Sequence, residues 1–139
     1  GFDIIDWYEL DPEVVKVCQK HLPKICGEVK ANNNVKCYWG DAFESIKKIK
    51  DSKYDKIFVD LNDDQYCIDL AAKNMKGLKR ILKPNGVITA QVGCLSKKPK
   101  QVNGWLKILS QNFGNTKLDE VAIPSFDCRW NFVSSIMSN

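Results

Sequence analysis

Short apolar runs alternate with amphipathic segments along the chain, and this alternation predicts a succession of β-strands and α-helices. Strands are predicted at 3–9, 35–39, 54–60, 87–92, 117–123 and 130–137. Helices are predicted from Asp11-Pro12-Glu13 to a stop at Pro23 and Gly27, at 43–49, through Leu78, Ile81 and Leu82, and at 99–113. The segment Pro84-Asn85-Gly86 is typical of a turn, and 124–129 is typical of a loop.

The order of these elements predicts the fold. Strands that alternate with helices need crossover connections, and these give a largely parallel sheet. The last two strands are separated only by the loop at 124–129, so they must run antiparallel. We therefore predict one α/β domain over residues 1–139, a Rossmann-like class I methyltransferase-type open sheet that is mostly parallel with an antiparallel C-terminal strand. In such sheets, ligands bind beyond the carboxyl ends of the strands.

Composition and charge narrow the function classes. The chain has 44% hydrophobic and 27% charged residues, which is ordinary for a globular domain, and no apolar run approaches the ~20 residues that span a membrane. The formal net charge of +4 comes from lysines that are spread along the chain. We therefore expect a solvated basic surface with no nucleic-acid partner and no membrane partner.

The first residues of the chain and its cysteines indicate the cellular compartment that we expect for the protein. The first residues, GFDIIDWYEL, are acidic and strand-like, unlike a secretory signal peptide, and a start at Gly1 leads us to expect a fragment of a longer protein. The six cysteines contain no Cys-x-x-Cys pair, and the single His21 leaves no zinc-binding set. We expect reduced thiols, no bound metal and a cytoplasmic location.

Single carboxylates follow the first two predicted strands, where a ligand would bind. Glu9 ends the first strand and can accept hydrogen bonds from two ribose hydroxyls, or it can be a solvated acid at a helix start. Asp41 follows Gly40 after the second strand, and it can accept from an adenine amino group, cap the next helix, or do both. Both acids are therefore candidates for holding a nucleoside.

A cluster of acids follows the third strand. Asp60 ends the run YDKIFVD, and Asp63 and Asp64 come shortly after it. Like charges this close repel one another unless a cation is bound or the loop is well solvated, so the cluster favours a cation site over an acidic surface turn. Gln91 lies near the end of the strand at 87–92. It either aims its carbonyl into the same crevice or is a satisfied strand-end amide.

Five stretches of the chain resemble the spermidine synthase (polyamine aminopropyltransferase) family. They are YELDPEVVKVCQKHLP, VKCYWGDAFESIKK, YDKIFVDLNDD, LKRILKPNGVITAQVG and FGNTKLDEVAIPSFDCRWNFVSS, and they cover nearly the whole chain. Other methyltransferase-like proteins also have strands that end in acids, so the order and spacing of the five stretches carry the resemblance. It implies an enzyme of polyamine biosynthesis that transfers an aminopropyl group from decarboxylated S-adenosylmethionine to putrescine, giving spermidine and methylthioadenosine.

On the donor side, the resemblance implies that Glu9 holds the ribose of decarboxylated S-adenosylmethionine and that Asp41, with Ala42 beside it, contacts the adenine. The first strand, the Gly-rich loop and the small N-terminal β-domain of the family would precede Gly1. Because that loop lets the backbone approach the cofactor, we expect this chain alone to be inactive. For the full-length protein we expect a homodimer.

On the acceptor side, the resemblance implies that Asp60 is the catalytic base, that Asp63 anchors the amine or aminopropyl group, and that Gln91 touches the polyamine. Phe126 stands in the substrate site where the family has a tyrosine whose hydroxyl assists. The resemblance implies no metal.

Departures from the family pattern keep two alternatives open. The family follows its catalytic aspartate with Ser-Ser-Asp-Pro-x-Gly-Pro-Ala, whereas Asp60 is followed by Leu61-Asn62-Asp63-Asp64-Gln65-Tyr66-Cys67. This difference is compatible with an S-adenosylmethionine-dependent methyltransferase built on the same fold. The missing hydroxyl at Phe126 is compatible with a non-catalytic, spermidine-synthase-like partner domain.

Overall fold

The computed structural model describes residues 2–27, 32–62 and 64–138, and the chain forms two compact units, Gly1–Lys48 and Ile49–Asn139. Asp63, predicted to anchor the amine, lies outside the described residues. No helix within the described ranges is both long enough and apolar enough to cross a membrane. The organisation of residues 1–139 as one domain stays a prediction.

The first unit is a parallel two-stranded sheet with three helices. Its elements are β1 (Ile5–Glu9), α1 (Pro12–His21), α2 (Pro23–Cys26), β2 (Val35–Trp39) and α3 (Ala42–Ile46). The strands pair from Ile5 opposite Val35 to Glu9 opposite Trp39, so both end at the same edge of the sheet. Among the described residues of this unit, the buried apolar side chains are Val15, Phe43 and Ile46.

The first long helix begins as the sequence predicts. The Asp11 side chain accepts a hydrogen bond from the backbone N–H of Glu13 at 2.9 Å. Pro12 occupies the first helical position, where its missing N–H leaves no hydrogen bond unmade. The sequence ends this helix at Pro23, and the structure adds the short helix α2 directly after that point.

The second unit is a four-stranded sheet with two long helices. Its elements are β3 (Tyr54–Val59), α4 (Gln65–Ile81), β4 (Leu82–Gly93), α5 (Pro99–Phe113), β5 (Thr116–Ala122) and β6 (Arg129–Ile136). The strand order is β3-β4-β6-β5, in which β3 is parallel to β4, and β6 is antiparallel to both of its neighbours. The predicted α/β fold with an antiparallel C-terminal strand is confirmed.

The two faces of this sheet differ in burial. Ala90 and Val92 of β4 and Val133 of β6 are buried, and α5 packs against both strands and against α4. Successive residues of a strand point to opposite faces, so Thr89 and Gln91, which alternate with the buried positions, lie on the other face and are half-buried. This second face carries the candidate site.

The structure corrects the turn predicted at Pro84-Asn85-Gly86. The strand β4 begins at Leu82, directly after α4, and residues 83–86 form an irregularity in the β3–β4 pairing, where the register shifts after Tyr54. Asn85 has a φ of 61°, in the left-handed region that Asn tolerates better than most residues. The conformational preferences that favour Pro84-Asn85-Gly86 in a turn therefore also suit a bulge inside a strand. The helix predicted at 43–49 is also shorter, because α3 ends at Ile46.

The structure also corrects the prediction of reduced thiols for one pair. Cys94, directly after β4, and Cys128, directly before β6, form a disulfide. Their Cα atoms are 6.3 Å apart, a separation that disulfides commonly span. A sequence separation of 34 residues gives no local spacing motif from which to predict the pair. The free cysteines are Cys18, Cys26, Cys37 and Cys67.

Candidate active site

The first unit brings Glu9 and Asp41 to one edge of its sheet. Glu9 is the last residue of β1, and Asp41 follows β2 with only Gly40 between them. The N–H of Gly40 donates to the backbone carbonyl of Glu9 at 2.9 Å, which joins the two strand ends. Both acids therefore stand at the carboxyl ends of adjacent parallel strands, the edge at which such sheets bind ligands.

Local hydrogen bonds orient these two carboxylates. Oε1 of Glu9 accepts from the backbone N–H of Asp11 at 2.9 Å. Oδ1 of Asp41 accepts from the N–H groups of Phe43 at 2.7 Å and Glu44 at 3.4 Å, so Asp41 caps α3. Each carboxylate uses one oxygen in these bonds, and a carboxylate can accept several hydrogen bonds at once. Helix capping and ligand binding are therefore compatible in both residues.

The residues on either side of Asp41 set the direction of the chain. Gly40 has a φ of 117°, a conformation that L-residues other than glycine rarely adopt, although a Cβ there would meet no atom within 4 Å. The requirement for glycine is thus conformational rather than steric. Ala42 begins α3 and is half-buried beside the carboxylate. The segment Gly40-Asp41-Ala42 turns the chain from β2 into α3 with the acid at the turn.

The second unit contains an open pocket of about 710 Å³, and Asp60, Gln91 and Phe126 all line it. Part of its lining is the half-buried face of the sheet, to which Thr89 and Gln91 belong. Asp60 directly follows β3 and is exposed. The structure thus brings together three of the residues that the sequence singles out, while their roles stay predictions.

The segment after Asp60 leads into a capped helix. Oδ1 of Asp64 accepts from the backbone N–H of Cys67 at 2.8 Å and starts α4. Burial, and after it the Asp64 carboxylate, raises the pKa of the Cys67 thiol. This thiol is therefore protonated at neutral pH, and it is a poor candidate for a nucleophile.

The acidic cluster supplies no recognisable metal site in the described ranges. No group of three or more His, Cys, Asp or Glu side chains within 2–27, 32–62 and 64–138 is arranged to hold a metal ion. Asp63, the middle acid of the cluster, lies outside those ranges. The interpretation of this cluster as a cation site stays a prediction.

A tight turn presents Phe126 to the pocket. The N–H of Phe126 donates to the carbonyl of Ile123 at 2.9 Å and closes a β-turn with Pro124 at its second position, which Pro favours. The Phe126 ring is 44% exposed and packs against Trp130, with ring centroids 4.4 Å apart and an interplanar angle of 48°. The disulfide described above ties the same loop to the end of β4. Together the two rings form an aromatic wall of the pocket.

Both ends of the Gln91 amide are engaged within the protein. Its Nε2 donates to the backbone carbonyl of Leu61 at 2.7 Å, and its Oε1 accepts from Nε1 of Trp130 at 2.6 Å. Of the two alternatives that the sequence leaves open, these bonds favour a satisfied strand-end amide. A contact between Gln91 and a polyamine stays a prediction.

Sequence reasoning assigns no role to Trp130. Trp130 lies two residues before Phe132, which pairs directly with Gln91 across the β4–β6 ladder. The period-two pattern of β6 therefore places Trp130 on the same face as Gln91, but only once the pairing of the two strands is known.

Comparison with known proteins identifies the family. The family model described as the spermine/spermidine synthase domain matches residues 2–139. The chain belongs to this family. It is 33% identical over 140 residues to a polyamine aminopropyltransferase of Prochlorococcus marinus (strain MIT 9301), and the match covers 94% of the chain and 48% of the relative. It is 27% identical over 126 residues to a spermine synthase of Arabidopsis thaliana, covering 89% of the chain and 35% of the relative.

Solved structures confirm the fold. The spermidine synthase from Thermotoga maritima superimposes with a TM-score of 0.78 at 14% identity, covering 96% of this chain and 44% of that chain. A spermidine synthase in complex with the transition-state analogue AdoDATO superimposes with a TM-score of 0.81 at 15% identity, with the same coverage. The chain spans about half the length of the curated relatives that it matches over most of its length.

Proposed function

We propose that this chain is the catalytic part of a polyamine aminopropyltransferase, which transfers an aminopropyl group from decarboxylated S-adenosylmethionine to putrescine. The single observation that carries the proposal is the open pocket in which the carboxylate of Asp60 shares a lining with the Phe126–Trp130 aromatic wall. Membership of the spermine/spermidine synthase family supports the reaction class.

The lining of this pocket suits an alkyl diamine. Such a molecule has an apolar methylene chain and a polar nitrogen at each end. Apolar and aromatic side chains can pack against the methylenes, while carboxylates and ring faces attract an ammonium group. In the proposed binding mode, Asp60 accepts from the reacting nitrogen, and Gln91 and Phe126 contact the molecule in the pocket that they line with Asp60. We assign the far ammonium to Asp63.

The proposed reaction is a single displacement. The lone pair of the acceptor nitrogen forms a bond to the methylene carbon next to the sulfonium, and the carbon–sulfur bond breaks. Its electron pair stays on sulfur, so methylthioadenosine leaves as a neutral thioether. The proton that the new secondary amine loses passes to Asp60, which acts as general base. Alignment of the reacting atoms supplies much of the rate enhancement.

The donor set of the first unit fits the nucleoside part of the donor substrate. Ribose hydroxyls and the adenine amino group are hydrogen-bond donors, and the carboxylates of Glu9 and Asp41 are acceptors at adjacent strand ends. We assign the ribose to Glu9 and the adenine to Asp41, with the small side chain of Ala42 beside the base.

The decisive experiment is an assay of the full-length protein with putrescine and decarboxylated S-adenosylmethionine. We expect spermidine and methylthioadenosine as products, and we expect Asp60→Asn to lower kcat by about 10²- to 10⁴-fold, since the general base is lost. Asp69→Asn is the matched control, because Asp69 is exposed on α4 and its carboxylate accepts from Gln65. Absence of spermidine, or an Asp60→Asn variant as active as the control, refutes the proposal.

A methyltransferase is the rival function, and the observation that favours it is that the segment after Asp60, residues 61–67, departs from the family pattern. Calorimetry with S-adenosylmethionine and with its decarboxylated form separates the two functions. Tighter binding of the decarboxylated form supports aminopropyl transfer, and preference for the carboxylated form supports methyl transfer. A non-catalytic partner domain would give no turnover with any amine acceptor.

We further propose that the full-length protein is a cytoplasmic homodimer that works without a metal, a nucleic acid or a membrane. The names of the relatives, polyamine aminopropyltransferase and spermine synthase, support a small-molecule substrate, and the other parts of this proposal rest on the resemblance in sequence. Light scattering of the full-length protein tests the dimer, and assays in the presence of a metal chelator test the independence from metal.

A further inference from the structure

A chain of hydrogen bonds crosses the second unit from β6 to the segment that carries Asp60. Nε1 of Trp130 donates to Oε1 of Gln91 at 2.6 Å. Nε2 of Gln91 then donates to the backbone carbonyl of Leu61 at 2.7 Å. Leu61 directly follows Asp60, so the chain of bonds ends on the main-chain carbonyl of the residue next to the proposed base. All four residues line the same pocket.

The chemistry of the three groups fixes the direction of the amide. An indole N–H can only donate and a backbone carbonyl can only accept, whereas a glutamine amide can do either, depending on which way it faces. Trp130 therefore forces the oxygen of Gln91 toward β6 and its nitrogen toward Leu61. Without the indole donor, a rotation of the amide by half a turn would place its oxygen against the Leu61 carbonyl, where it would repel.

The partial burial of the three groups strengthens the effect of Trp130 on the orientation of the Gln91 amide. Trp130, Gln91 and Leu61 are each only partly exposed, so water competes weakly for their hydrogen bonds. Asp60 itself is exposed and sits after the end of β3, where no further strand pairing holds it. The hydrogen bond from Gln91 to the Leu61 carbonyl therefore holds the main chain next to Asp60, at a point where the strand pairing of β3 has ended.

We infer that Trp130 is a positioning residue: its indole N–H orients the Gln91 amide so that the amide holds the Leu61 peptide, and with it the carboxylate of Asp60, in the geometry for proton transfer. The inference rests on the proposed function. It assigns to Gln91 a role inside the protein that is separate from any contact with substrate.

The substitution Trp130→Phe removes the N–H and keeps an aromatic ring to pack against Phe126. In the full-length enzyme we expect kcat to fall about 5- to 20-fold, the size of effect that loss of one partly buried hydrogen bond gives, with the KM for putrescine within about two-fold. Trp105→Phe is the matched control, because Trp105 is buried in α5 and is absent from the lining of the pocket. We expect its kcat to be unchanged.

A double-mutant cycle tests whether Trp130 acts through Gln91. If it does, adding Trp130→Phe to Gln91→Ala changes kcat by less than two-fold, since the amide to be oriented is already gone. Full additivity of the two losses in kcat overturns the inference. So does a Trp130→Phe enzyme with wild-type kcat, or one in which the loss lies entirely in KM.

A spectroscopic readout keeps this test separate from that of the proposed function. In ¹⁵N-labelled protein, we expect the indole N–H resonance of Trp130 to move on Gln91→Ala, while the indole resonance of Trp105, which does not line the pocket, stays in place. If this shift is seen and the wild-type protein makes no spermidine, the proposed function fails and the hydrogen-bond chain stands. If the resonance does not respond to Gln91→Ala, the inference fails even in an active enzyme.

Discussion

The two units of the chain differ in how much apolar surface they bury. In the first, a two-stranded sheet with short helices leaves Ile25 and Trp39 78% and 50% exposed. In the second, two long helices cover a four-stranded sheet, and Ile88 and Leu109 are fully buried. A two-stranded sheet alone is marginally stable in water. The proposed donor-binding acids of the first unit therefore depend on helix caps and strand-end hydrogen bonds, whereas the proposed base stands on a packed scaffold.

The same substitution in each unit provides the strongest test of this contrast. Ile88→Ala in β4 should lower the free energy of unfolding by about 3–5 kcal/mol, because the cavity lies in a core that cannot collapse. Ile46→Ala in α3, which is 8% exposed, should cost less, about 1–3 kcal/mol. Urea unfolding followed by circular dichroism measures both values. Ile25→Ala, at an exposed position, is the control with an expected change within about 0.5 kcal/mol. Equal losses in the free energy of unfolding for Ile88→Ala and Ile46→Ala would show that the two units do not differ in the packing of their cores.

A pair of variants at Asp41 separates helix capping from ligand binding in the first unit. Asp41→Ala should lower the free energy of unfolding by about 1 kcal/mol, because α3 loses its cap, whereas Asp41→Asn should leave it nearly unchanged. In Asp41→Asn the remaining oxygen caps the helix, so the amide nitrogen would face the donor group of adenine. We expect calorimetry to show methylthioadenosine binding weakened about 10-fold in this variant. Unchanged binding would exclude Asp41 from the donor site.

The alkylation rates of one free thiol from each unit, Cys67 and Cys26, can be compared. Burial and the Asp64 carboxylate raise the pKa of Cys67, so its thiolate is scarce and iodoacetamide should modify it more slowly than Cys26. Asp64→Asn keeps an oxygen to cap α4 and removes the charge. We expect this change to lower the pKa of Cys67 and to speed its alkylation about two- to five-fold at pH 8, as peptide mass spectrometry can follow. An unchanged rate would leave burial as the sole cause.

The smallest effect is expected at a surface ion pair of the second unit. The hydrogen bond from Lys83, at 2.8 Å, lowers the pKa of Asp55 below its usual value of 3.8. A lowered pKa in the folded state gives a stabilisation that is present above the unfolded pKa and is lost as the pH falls through the folded pKa. Asp55→Asn should therefore be slightly less stable than wild type at pH 7 and indistinguishable from it near pH 2. Lys83→Gln should abolish the same pH dependence in urea unfolding.

Much of the fold follows from local sequence signals. The helix α5 begins at Pro99 and ends before Gly114, at the bounds that the sequence predicts, because proline and glycine mark the two ends and the apolar spacing fills the interval. Residues 84–86 show the limit of such signals. The segment Pro84-Asn85-Gly86 satisfies the requirements of a turn and of a strand bulge equally, and only the pairing of β4 with β3 decides between them.

The site is less predictable than the fold because its contacts join distant parts of the chain. Asp60 and Asp41 can be found from the ends of their strands, since strand ends are local. The bond from Trp130 to Gln91 spans 39 residues and depends on the register of β6 against β4, including the shift after Gln91. No pattern within either strand encodes that register.

The turn at Gly40 requires a particular backbone conformation, whereas the size of a side chain there is not restricted by neighbouring atoms. Its φ of 117° lies in the region that L-residues rarely adopt, and a Cβ built on it would meet no atom within 4 Å. An L-alanine there would strain the backbone directly before Asp41. We expect a D-alanine introduced by semisynthesis to be tolerated better than an L-alanine at this position, because D-residues favour a positive φ. The residue before the proposed adenine-binding acid therefore has a backbone conformation that L-residues with a side chain rarely adopt.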